Sequence, residues 1–243
     1  HINLVNAFNE AGHEAMLYGP HDWHLDKCKS EKLNVLELHS NDSLIVHLLK
    51  FPQDVVAANY VYSCHETNLT PLKDADMSQY DFIHYVSRSQ KNWHGVDYPS
   101  YIIPNIITGV EWCKNPGKGY AGVIGSIDRH KQTHESIKRA FADGYKDVLL
   151  YGDITDPEYY AENVKFWVDE GVAKLMGHMD NKQEMYESVE EVYHSSLRET
   201  FNYVKGECRI TGKRYNGLPS AESGAIYLEA EEVVKHWEDV LDL

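Results

Sequence analysis

The order of apolar and polar positions along the chain predicts helices and strands that alternate. Near the start, apolar side chains recur at helical spacing from Leu4 to Ala11, Gly12 ends that pattern, and the apolar residues 15–18 follow. This is the pattern of a helix, a turn and a strand. Further short apolar runs, which predict strands or in the second case a helix end, lie at residues 34–38, 54–59 and 82–87. Such alternation is typical of a parallel sheet with helices on both faces.

A polar, glycine-rich segment divides this pattern into two halves. The apolar run that begins at Tyr101 is interrupted by Pro104, and residues 114–119 then read KNPGKG. Segments of this composition often connect domains. We therefore predict one domain over residues 1–104 and a second over residues 105–243.

The alternation restarts in the second half and is more regular there. It predicts strands at residues 121–124, 147–151, 172–176 and 192–195, and helices at residues 133–143, 157–169 and 182–190, with another helix that starts near Thr200. At the end of the chain, Val233, Trp237 and Val240 share one face at helical spacing. They predict an amphipathic closing helix, whose apolar stripe needs a partner surface at the domain junction or on the first domain.

Composition and charge narrow the possible functions. The 243 residues are 42% hydrophobic, enough for a sizeable core, and the formal net charge is -15. Acidic side chains exceed basic ones in both halves, so we expect no nucleic-acid partner. No apolar run approaches the roughly 20 residues of a membrane span, which predicts no transmembrane segment and leaves a peripheral membrane contact open. The cysteines form no CxxC pair and no signal-peptide pattern is present, which together predict a cytoplasmic protein.

The segment from Glu199 to Glu207 carries the strongest chemical signal. Glu199 falls between a predicted strand end and a predicted helix start, where open α/β folds bind ligands. This arrangement suits a sugar nucleotide, because Glu207 comes two helical turns later and can accept hydrogen bonds from the ribose of such a ligand. The backbone N–H groups that would face a diphosphate are those of Thr200, Phe201, Asn202 and Tyr203. The alternative is that Glu199 caps the helix and that Glu207 is a solvated surface side chain.

An earlier loop carries two cations that could bind the phosphates of the same sugar nucleotide. Gly125 follows a short buried strand and permits the close approach of another backbone. Arg129 and Lys131 can form charge-assisted hydrogen bonds to phosphate, each worth about 1.5–3 kcal/mol. The alternative is a surface turn with solvated charges.

Together these segments resemble the donor domain of GT-B glycosyltransferases of the retaining family-4 type. The matching segments follow one another in the family's order: the loop from Gly125 to Lys131, the strand and Gly-Asp turn at residues 147–153, the strand that ends at Gly177, and the Glu-x7-Glu segment ETFNYVKGE. Ser126 stands where the family usually has an arginine, and after Gly212 the family's Pro-Val strand and glycine-rich loop are not recognisable. The resemblance implies an α/β protein of two Rossmann-like domains with the donor site in the second.

The first half resembles the acceptor domain of the same family. Gly12-His13-Glu14 is similar to the turn before its second strand, and Ile102-Ile103-Pro104-Asn105 to the crossover into the donor domain. The SCHE segment at residues 63–66 is similar to the loop that presents a histidine to the reaction centre, which makes His65 a candidate catalytic residue. Since the chain has 14 histidines, a surface or core role for His65 is the alternative. The resemblance also implies that the first strand of this domain and its glycine-rich turn are missing.

The resemblance implies transfer of a sugar from a nucleoside-diphosphate donor to a hydroxyl acceptor, a glycan or a small molecule, with retention and without a metal or other cofactor. Glu199 would orient the sugar and Glu207 the ribose, while Lys131 and Arg129 stabilise the departing diphosphate. Gly125, Ser126 and Gly177 would complete the donor site. The alternative from another class is a degenerate GT-B protein that binds a sugar nucleotide or a partner without turnover; an epimerase of the same fold would need an acid/base pair that the sequence does not show.

Two patterns in the sequence resemble metal sites. Asp74-Ala75-Asp76 has the DxD form, but it lies in a polar stretch far from the donor segment and is typical of a solvated turn. His130 and His134 have a spacing used by zinc proteins, without the glutamate of the metalloprotease arrangement. The sequence therefore predicts no metal site.

Overall fold

The computed structural model describes residues 1–19, 27–32, 38–47, 56–65, 77–115, 117 and 119–243. The chain divides into two units, residues 1–108 together with 224–243, and residues 109–223. Residues 34–37, 54–55, 66 and 74–76, on which several sequence predictions fall, lie outside the described part. Among the described residues no helix is both long enough and apolar enough to cross a membrane.

The described part of the first unit contains two parallel sheets. Its strands are β1 (Leu17–Gly19), β2 (Ser30–Lys32), β3 (Ser43–Val46), β4 (Asn59–Cys64), β5 (Phe82–Tyr85) and β6 (Ser100–Ile102). Strand β1 pairs with β2, and the larger sheet has the order β3-β4-β5-β6. The helices are α1 (Ile2–Glu10), α2 (Arg88–His94) and the closing helix (Ala230–Leu241), with a 3₁₀ turn at Met77–Gln79.

Alternate side chains of the central strands build the core of the first unit on both faces of the larger sheet. Along β4, Val61 belongs to one buried cluster, whereas Tyr62 and Cys64 belong to a second. Along β5, Phe82 and Ile83 divide in the same way. Because successive side chains of a strand point to opposite faces, a strand that is covered on both sides is apolar along its whole length.

The closing helix packs on the first unit. Its stripe of Val233, Val234, Trp237 and Leu241 is buried in one cluster with Phe8 of α1 and with residues of β4 and β5. Of the two predicted partner surfaces, the domain junction and the first domain, the stripe packs on the first domain. The structure differs from the predicted boundaries, because residues 224–243 join the first unit and leave the second with residues 109–223. An apolar stripe requires a partner surface, but its sequence does not specify which one.

The second unit is a five-stranded parallel sheet with helices. Its strands are β7 (Ala121–Ile124), β8 (Val148–Tyr151), β9 (Ala173–Gly177), β10 (Glu191–His194) and β11 (Arg214–Gly217). Its helices are α3 (Thr133–Ala142), α4, which runs through Pro157–Tyr159, a π-helical turn at Tyr160–Val164 and Lys165–Asp169, α5 (Lys182–Ser188) and α6 (Tyr203–Thr211). The strand order is β11-β10-β7-β8-β9. The chain therefore adds β8 and β9 on one side of β7, and afterwards adds β10 and β11 on the other side.

The core of the second unit also lies on both faces of its sheet. Val148 and Leu150 of β8 belong to a cluster with Ile137 of α3, whereas Leu149 and Tyr151 of the same strand belong to a cluster on the opposite face. The latter cluster includes Tyr186 of α5 and Cys208 of α6. Helices on both faces and an all-parallel sheet confirm the predicted α/β class.

Most elements of the second unit lie within a few residues of their predicted positions, with two differences. Helix α6 begins at Tyr203 rather than near Thr200, because Asn202 has a φ of 59° and accepts a hydrogen bond from the Lys205 amide as the N-cap. Strand β11, over Arg214–Gly217, was not predicted. Its residues, Arg-Tyr-Asn-Gly, contain no apolar run, and the strand exists because it pairs with β10.

Replacement of Trp237 by alanine tests the packing of the closing helix. Trp237 is 1% exposed, and Trp→Ala changes in cores cost about 3–5 kcal/mol, so we expect the first unit to lose stability by that amount. His236 is exposed on the other face of the same helix, and His236→Ala should change stability by less than about 0.5 kcal/mol. Urea unfolding of both variants beside the wild type measures this. Equal unfolding midpoints for the two variants would contradict the packing.

Candidate functional site

Two loops meet at the carboxyl edge of the second sheet, where its strand order reverses. The β7 loop (residues 125–132) leads from β7 to α3, and the β10 loop (residues 195–202) leads from β10 to α6. Strands β7 and β10 are neighbours, and the chain continues from them in opposite directions across the sheet. Open α/β sheets bind ligands in the crevice at such a reversal. Both sequence-predicted phosphate segments therefore lie at this edge.

Three contacts join the two loops. The Leu197 amide donates to the His130 carbonyl at 2.9 Å. The His130 ring nitrogen Nε2 lies 2.8 Å from the Arg198 carbonyl oxygen, to which it donates. Lys131 Nζ donates to Glu199 Oε1 at 2.5 Å. The loops are thus fixed to each other by backbone, ring and ionic contacts within a few residues.

Glu199 is held between two donors. Its Oε1 also lies 2.9 Å from Nε2 of His194, the last residue of β10, and its side chain is 14% exposed. Burial raises the pKa of Glu199, but the hydrogen bond from His194 and the charge of Lys131 lower it more, with a net pKa of about 2. Glu199 is therefore a carboxylate at neutral pH, so it cannot donate a proton and can accept hydrogen bonds from hydroxyl groups. The alternative in which Glu199 caps α6 is wrong, because Asn202 occupies that position.

The β7 loop folds around Asp128. The Asp128 carboxylate accepts hydrogen bonds from Ser126 Oγ at 2.5 Å, from the Lys131 amide at 2.8 Å and from Thr155 Oγ1 at 3.2 Å. Ser126 therefore stabilises the loop from within. The same contacts hold the backbone of Lys131, which fixes where its ammonium group can reach.

The turn after β8 packs closely against the backbone of the β7 loop. Gly152 has a φ of 140°, and a Cβ atom there would lie 2.1 Å from the Gly125 carbonyl oxygen. Gly152 also donates its amide to the Gly177 carbonyl at 2.9 Å, so Gly177 closes the end of β9. The sequence predicted this Gly-Asp turn, but Gly152 was not among the predicted site residues. The sequence feature that could have identified Gly152 is a glycine directly after a predicted buried strand.

Arg129 forms its ion pairs outside the cluster around Glu199. Its guanidinium lies 3.4 Å from Asp156 and 3.7 Å from Glu158, at the start of α4, and its side chain is 60% exposed. Lys131, by contrast, is 26% exposed and paired with Glu199. The two cations predicted for phosphate thus have different partners: Lys131 is mostly buried in its ion pair, whereas Arg129 is largely solvated, as the alternative of a surface turn expects.

Glu207 is buried on α6 and turned toward α5. Its Oε1 accepts from Lys182 Nζ at 2.5 Å and its Oε2 from the Tyr186 hydroxyl at 2.7 Å. The residue is 3% exposed. The alternative of a solvated surface side chain is therefore wrong. Each carboxylate oxygen keeps a lone pair beyond these two bonds, so Glu207 can still accept from a hydroxyl.

The residues between Glu199 and α6 divide into structural and accessible ones. The Asn202 amide nitrogen donates to the Tyr215 hydroxyl and to the Ala221 carbonyl, so this side chain holds the loop in place and is not directed at a ligand. Phe201 is buried and packs edge-on against the Tyr203 ring at 4.9 Å. Tyr203 is 42% exposed and Thr200 is half-buried. The predicted backbone contacts to a diphosphate would come from the first turn of α6 and the residues before it.

His65 follows β4 directly, at the carboxyl edge of the larger sheet of the first unit. Its Nε2 lies 3.1 Å from Ser63 Oγ. Burial, and then the neighbouring His84 and His47, lower the pKa of His65 to about 2, so the ring is neutral at physiological pH. The His65 side chain is half-buried.

A solvent-open depression of about 640 Å³ lies at the opposite edge of the second sheet. Its lining includes Gly119, Asp147 and Glu190, which precede β7, β8 and β10, and Arg214 at the start of β11. Ligands of open α/β sheets bind at the carboxyl ends of the strands, so we do not place the donor in this depression.

Several solved structures have a similar fold, and one of them is a glycosyltransferase. AviGT4, a glycosyltransferase involved in avilamycin A biosynthesis, superposes with a TM-score of 0.70 at 15% identity, over 99% of this chain and 87% of its own. HepE of Anabaena, solved in complex with UDP and glucose, gives a TM-score of 0.56 at 16% identity, over 75% of this chain and 63% of its own. TarM gives 0.56 at 14% identity, over 76% of this chain and 43% of its own.

These likenesses establish the fold. The chain has the GT-B type of fold built from Rossmann-like α/β units, as the sequence predicted. No protein-family model matches the chain, and no curated protein matches it in sequence. At identities of 14–16% the similarity extends to architecture, and the chemistry must be argued from the residues.

The pKa of Glu199 predicts how the ion pair contributes to stability. Because that pKa falls from 4.5 to about 2 on folding, the carboxylate should stabilise the second unit by about 3 kcal/mol at pH 6, and this contribution is lost as the pH falls through the folded pKa. The stability difference between wild type and Glu199→Gln should therefore be about half as large at pH 3 as at pH 6. Urea unfolding across this range measures the difference. A difference that does not change with pH would contradict the pairing.

Proposed function

We propose that the chain is a glycosyltransferase that moves a sugar from a nucleoside-diphosphate donor to a hydroxyl acceptor, with the donor phosphates bound at the reversal point of the second sheet. The observation that carries the proposal is the cluster of Lys131, Glu199 and His194, which joins the two loops at that point. A partly buried cation beside a partly buried hydrogen-bond acceptor suits a ligand that carries both phosphate and sugar hydroxyls.

Lys131 would stabilise the departing diphosphate. Its ammonium group has three donors, of which one is used by Glu199, and it is held at the carboxyl edge of the sheet. The charge that develops on the leaving phosphate is largest in the transition state, so a fixed cation there lowers the barrier as well as improving binding. The first backbone amides of α6 would add a second source of positive potential.

Glu199 would act as an acceptor for sugar hydroxyls and as the partner that orients Lys131. A carboxyl with a pKa of about 2 holds no proton at neutral pH, which excludes it as the general acid of the reaction. Retention at the anomeric carbon and independence of metal in the transfer step follow from the resemblance to family-4 enzymes and belong to the proposal. In that scheme an oxygen of the leaving phosphate takes the proton of the acceptor.

Glu207 would bind the ribose, with one structural condition. Its carboxylate is 3% exposed and Lys182, whose side chain is 43% exposed, lies over Oε1. The ribose hydroxyls would therefore have to share Oε1 with the ammonium of Lys182 or displace it. The solved structures of HepE with UDP-glucose and of the pneumococcal transferase GtfA with UDP and GlcNAc support a uridine nucleotide as the first donor to test.

Two observations favour a second candidate function, nucleotide binding without turnover. Ser126 occupies the position of the family's arginine and is bonded to Asp128, and the nearby Arg129 is paired with acidic residues of α4. Among the described cations of the β7 loop, Lys131 is then the one that is directed at the β10 loop. Hydrolysis or transfer of a UDP-sugar by the wild type supports the enzyme, whereas UDP binding without either reaction supports the binding protein.

Lys131→Ala tests the phosphate contact. A charge-assisted bond to phosphate is worth about 1.5–3 kcal/mol, so UDP binding should weaken by about 10–150-fold while uridine binding stays within twofold. Arg129→Ala is the matched control in the same loop and should weaken UDP binding much less, because its partners are Asp156 and Glu158. Isothermal titration calorimetry with both ligands measures the effect. Equal weakening of UDP and uridine by Lys131→Ala would show that the loop has a structural role only.

Separate replacement of Glu199 and Glu207 tests whether they act on different parts of one donor. Glu199→Gln removes an interaction with the reacting sugar and should mainly lower kcat, by about 100-fold or more. Glu207→Gln keeps the shape of the buried side chain and weakens binding that ground state and transition state share, so it should mainly raise the donor KM. Steady-state kinetics with the donor found by the binding screen separates the two effects. Wild-type kinetics in both variants would rule out the assignment.

A further inference from the structure

Three histidines of the first unit converge on one point. His47 directly follows β3, His65 directly follows β4, and His1 precedes α1. The ring centroids are 5.0 Å apart for His1 and His47, 4.8 Å for His1 and His65, and 5.0 Å for His47 and His65. One nitrogen from each ring lies within 4.8 Å of the other two, and these three form the only such group of potential metal ligands among the described residues.

The sheet brings two of these rings together. Strands β3 and β4 are parallel neighbours in which Val46 is paired with Tyr62, so the residues after them leave the sheet at the same edge. His47 and His65 are therefore fixed by the strands rather than by a surface loop alone. Ligand side chains on rigid elements are a feature of preorganised metal sites.

Hydrogen bonds around the cluster determine which nitrogens are protonated. His84 Nε2 lies 2.8 Å from the Ile103 carbonyl oxygen and must donate to it, so His84 Nδ1 is an acceptor, and the Ser63 hydroxyl donates to that atom at 2.9 Å. The Ser63 oxygen must then accept from His65 Nε2, which leaves the lone pair on His65 Nδ1. His47 Nδ1 lies 3.0 Å from the Ser63 carbonyl oxygen and donates to it, which leaves the lone pair on Nε2.

This is the arrangement found around metal-bound histidines. A ligand imidazole usually donates its second N–H to a backbone carbonyl or another polar group, which fixes the tautomer and the orientation of the ring. His47 and His65 each have such a partner, and both partners are atoms of Ser63. Neutral imidazole is also the form that binds metal.

We propose that His1, His47 and His65 form a binding site for one divalent transition-metal ion of the zinc class, at the carboxyl edge of the first unit's larger sheet. Zinc bonds to histidine nitrogen at about 2.0–2.1 Å, so tetrahedral ligands lie about 3.3 Å apart, and the three nitrogens, now within 4.8 Å of one another, would move closer together around a bound ion. Three protein ligands leave the fourth position for water or for an oxygen ligand. All residues of this site belong to the first unit, so the proposal is independent of the donor site proposed for the second.

The proposal gives His65 a role that differs from the one implied by the family resemblance. A histidine that contacts the donor sugar directly would affect catalysis and leave metal binding unchanged. A ligand histidine would affect metal binding in the absence of any donor. Zinc titration without a nucleotide therefore separates the two roles, and its result does not depend on whether the chain is an enzyme.

The test is calorimetric titration of zinc into the full chain, free of any histidine tag and first treated with a chelator. We expect one zinc ion per chain with a Kd of about 1 µM or tighter, and at least about 100-fold weaker binding in His47→Gln and in His65→Gln. Ser63→Ala, which removes the hydroxyl between His65 and His84, should weaken binding by about 10–100-fold. His236→Gln, at an exposed position of the closing helix, should bind zinc as the wild type does.

Equal zinc binding in the wild type, His47→Gln and His65→Gln would overturn the proposal, as would a wild type that binds zinc only at millimolar concentration. Because a variant can fail to fold, the wild type is also loaded with Co²⁺. The strong visible absorption of four-coordinate Co²⁺ supports the site, whereas the weak absorption of six-coordinate Co²⁺ overturns it. A rise in the unfolding temperature with added zinc gives a further reading of binding to the native state.

Discussion

The ion pair between Lys131 and Glu199 is the interaction on which the candidate donor site depends. It connects two loops that are far apart in the sequence and that meet because the strand order of the second unit reverses between β7 and β10. His194, which is 3% exposed, forms a hydrogen bond to the Glu199 carboxylate of this pair. Loss of either charged partner would leave a largely buried charge without compensation, which is more costly than the loss of a surface salt bridge.

The same pair would allow an acidic chain to hold the proposed diphosphate. With a formal charge of -15 the protein as a whole repels phosphate, so a binding site needs a local cation. Glu199 holds the ammonium of Lys131 at the edge of the sheet, and the hydrogen bonds to Asp128 hold its backbone. Arg129, only two positions away, is directed to α4 by Asp156 and Glu158. Neighbouring cations in one loop thus have different roles because their acidic partners differ.

The first unit shows how parallel strands assemble a site from distant residues. His47 and His65 lie at the ends of paired strands, and the Ser63 hydroxyl and carbonyl orient both rings. This cluster could not be predicted from the sequence, because its three histidines are widely separated and have no metal-binding spacing. The pair that did have such a spacing is used otherwise: His130 bonds to the Arg198 carbonyl and His134 to the Tyr159 hydroxyl.

The sequence by itself determined the α/β class, most elements of the second unit and the segments that carry Lys131, Glu199 and Glu207, because these features depend on local periodicity and on short-range turn chemistry. It did not determine β11, whose polar residues form a strand only beside β10, or the side on which the closing helix packs. It also left open whether Glu207 is solvated, which Lys182 and Tyr186 of another helix decide. Only the tertiary structure selects among such alternatives, because the partner groups that satisfy a buried charge or an apolar stripe lie far away along the chain.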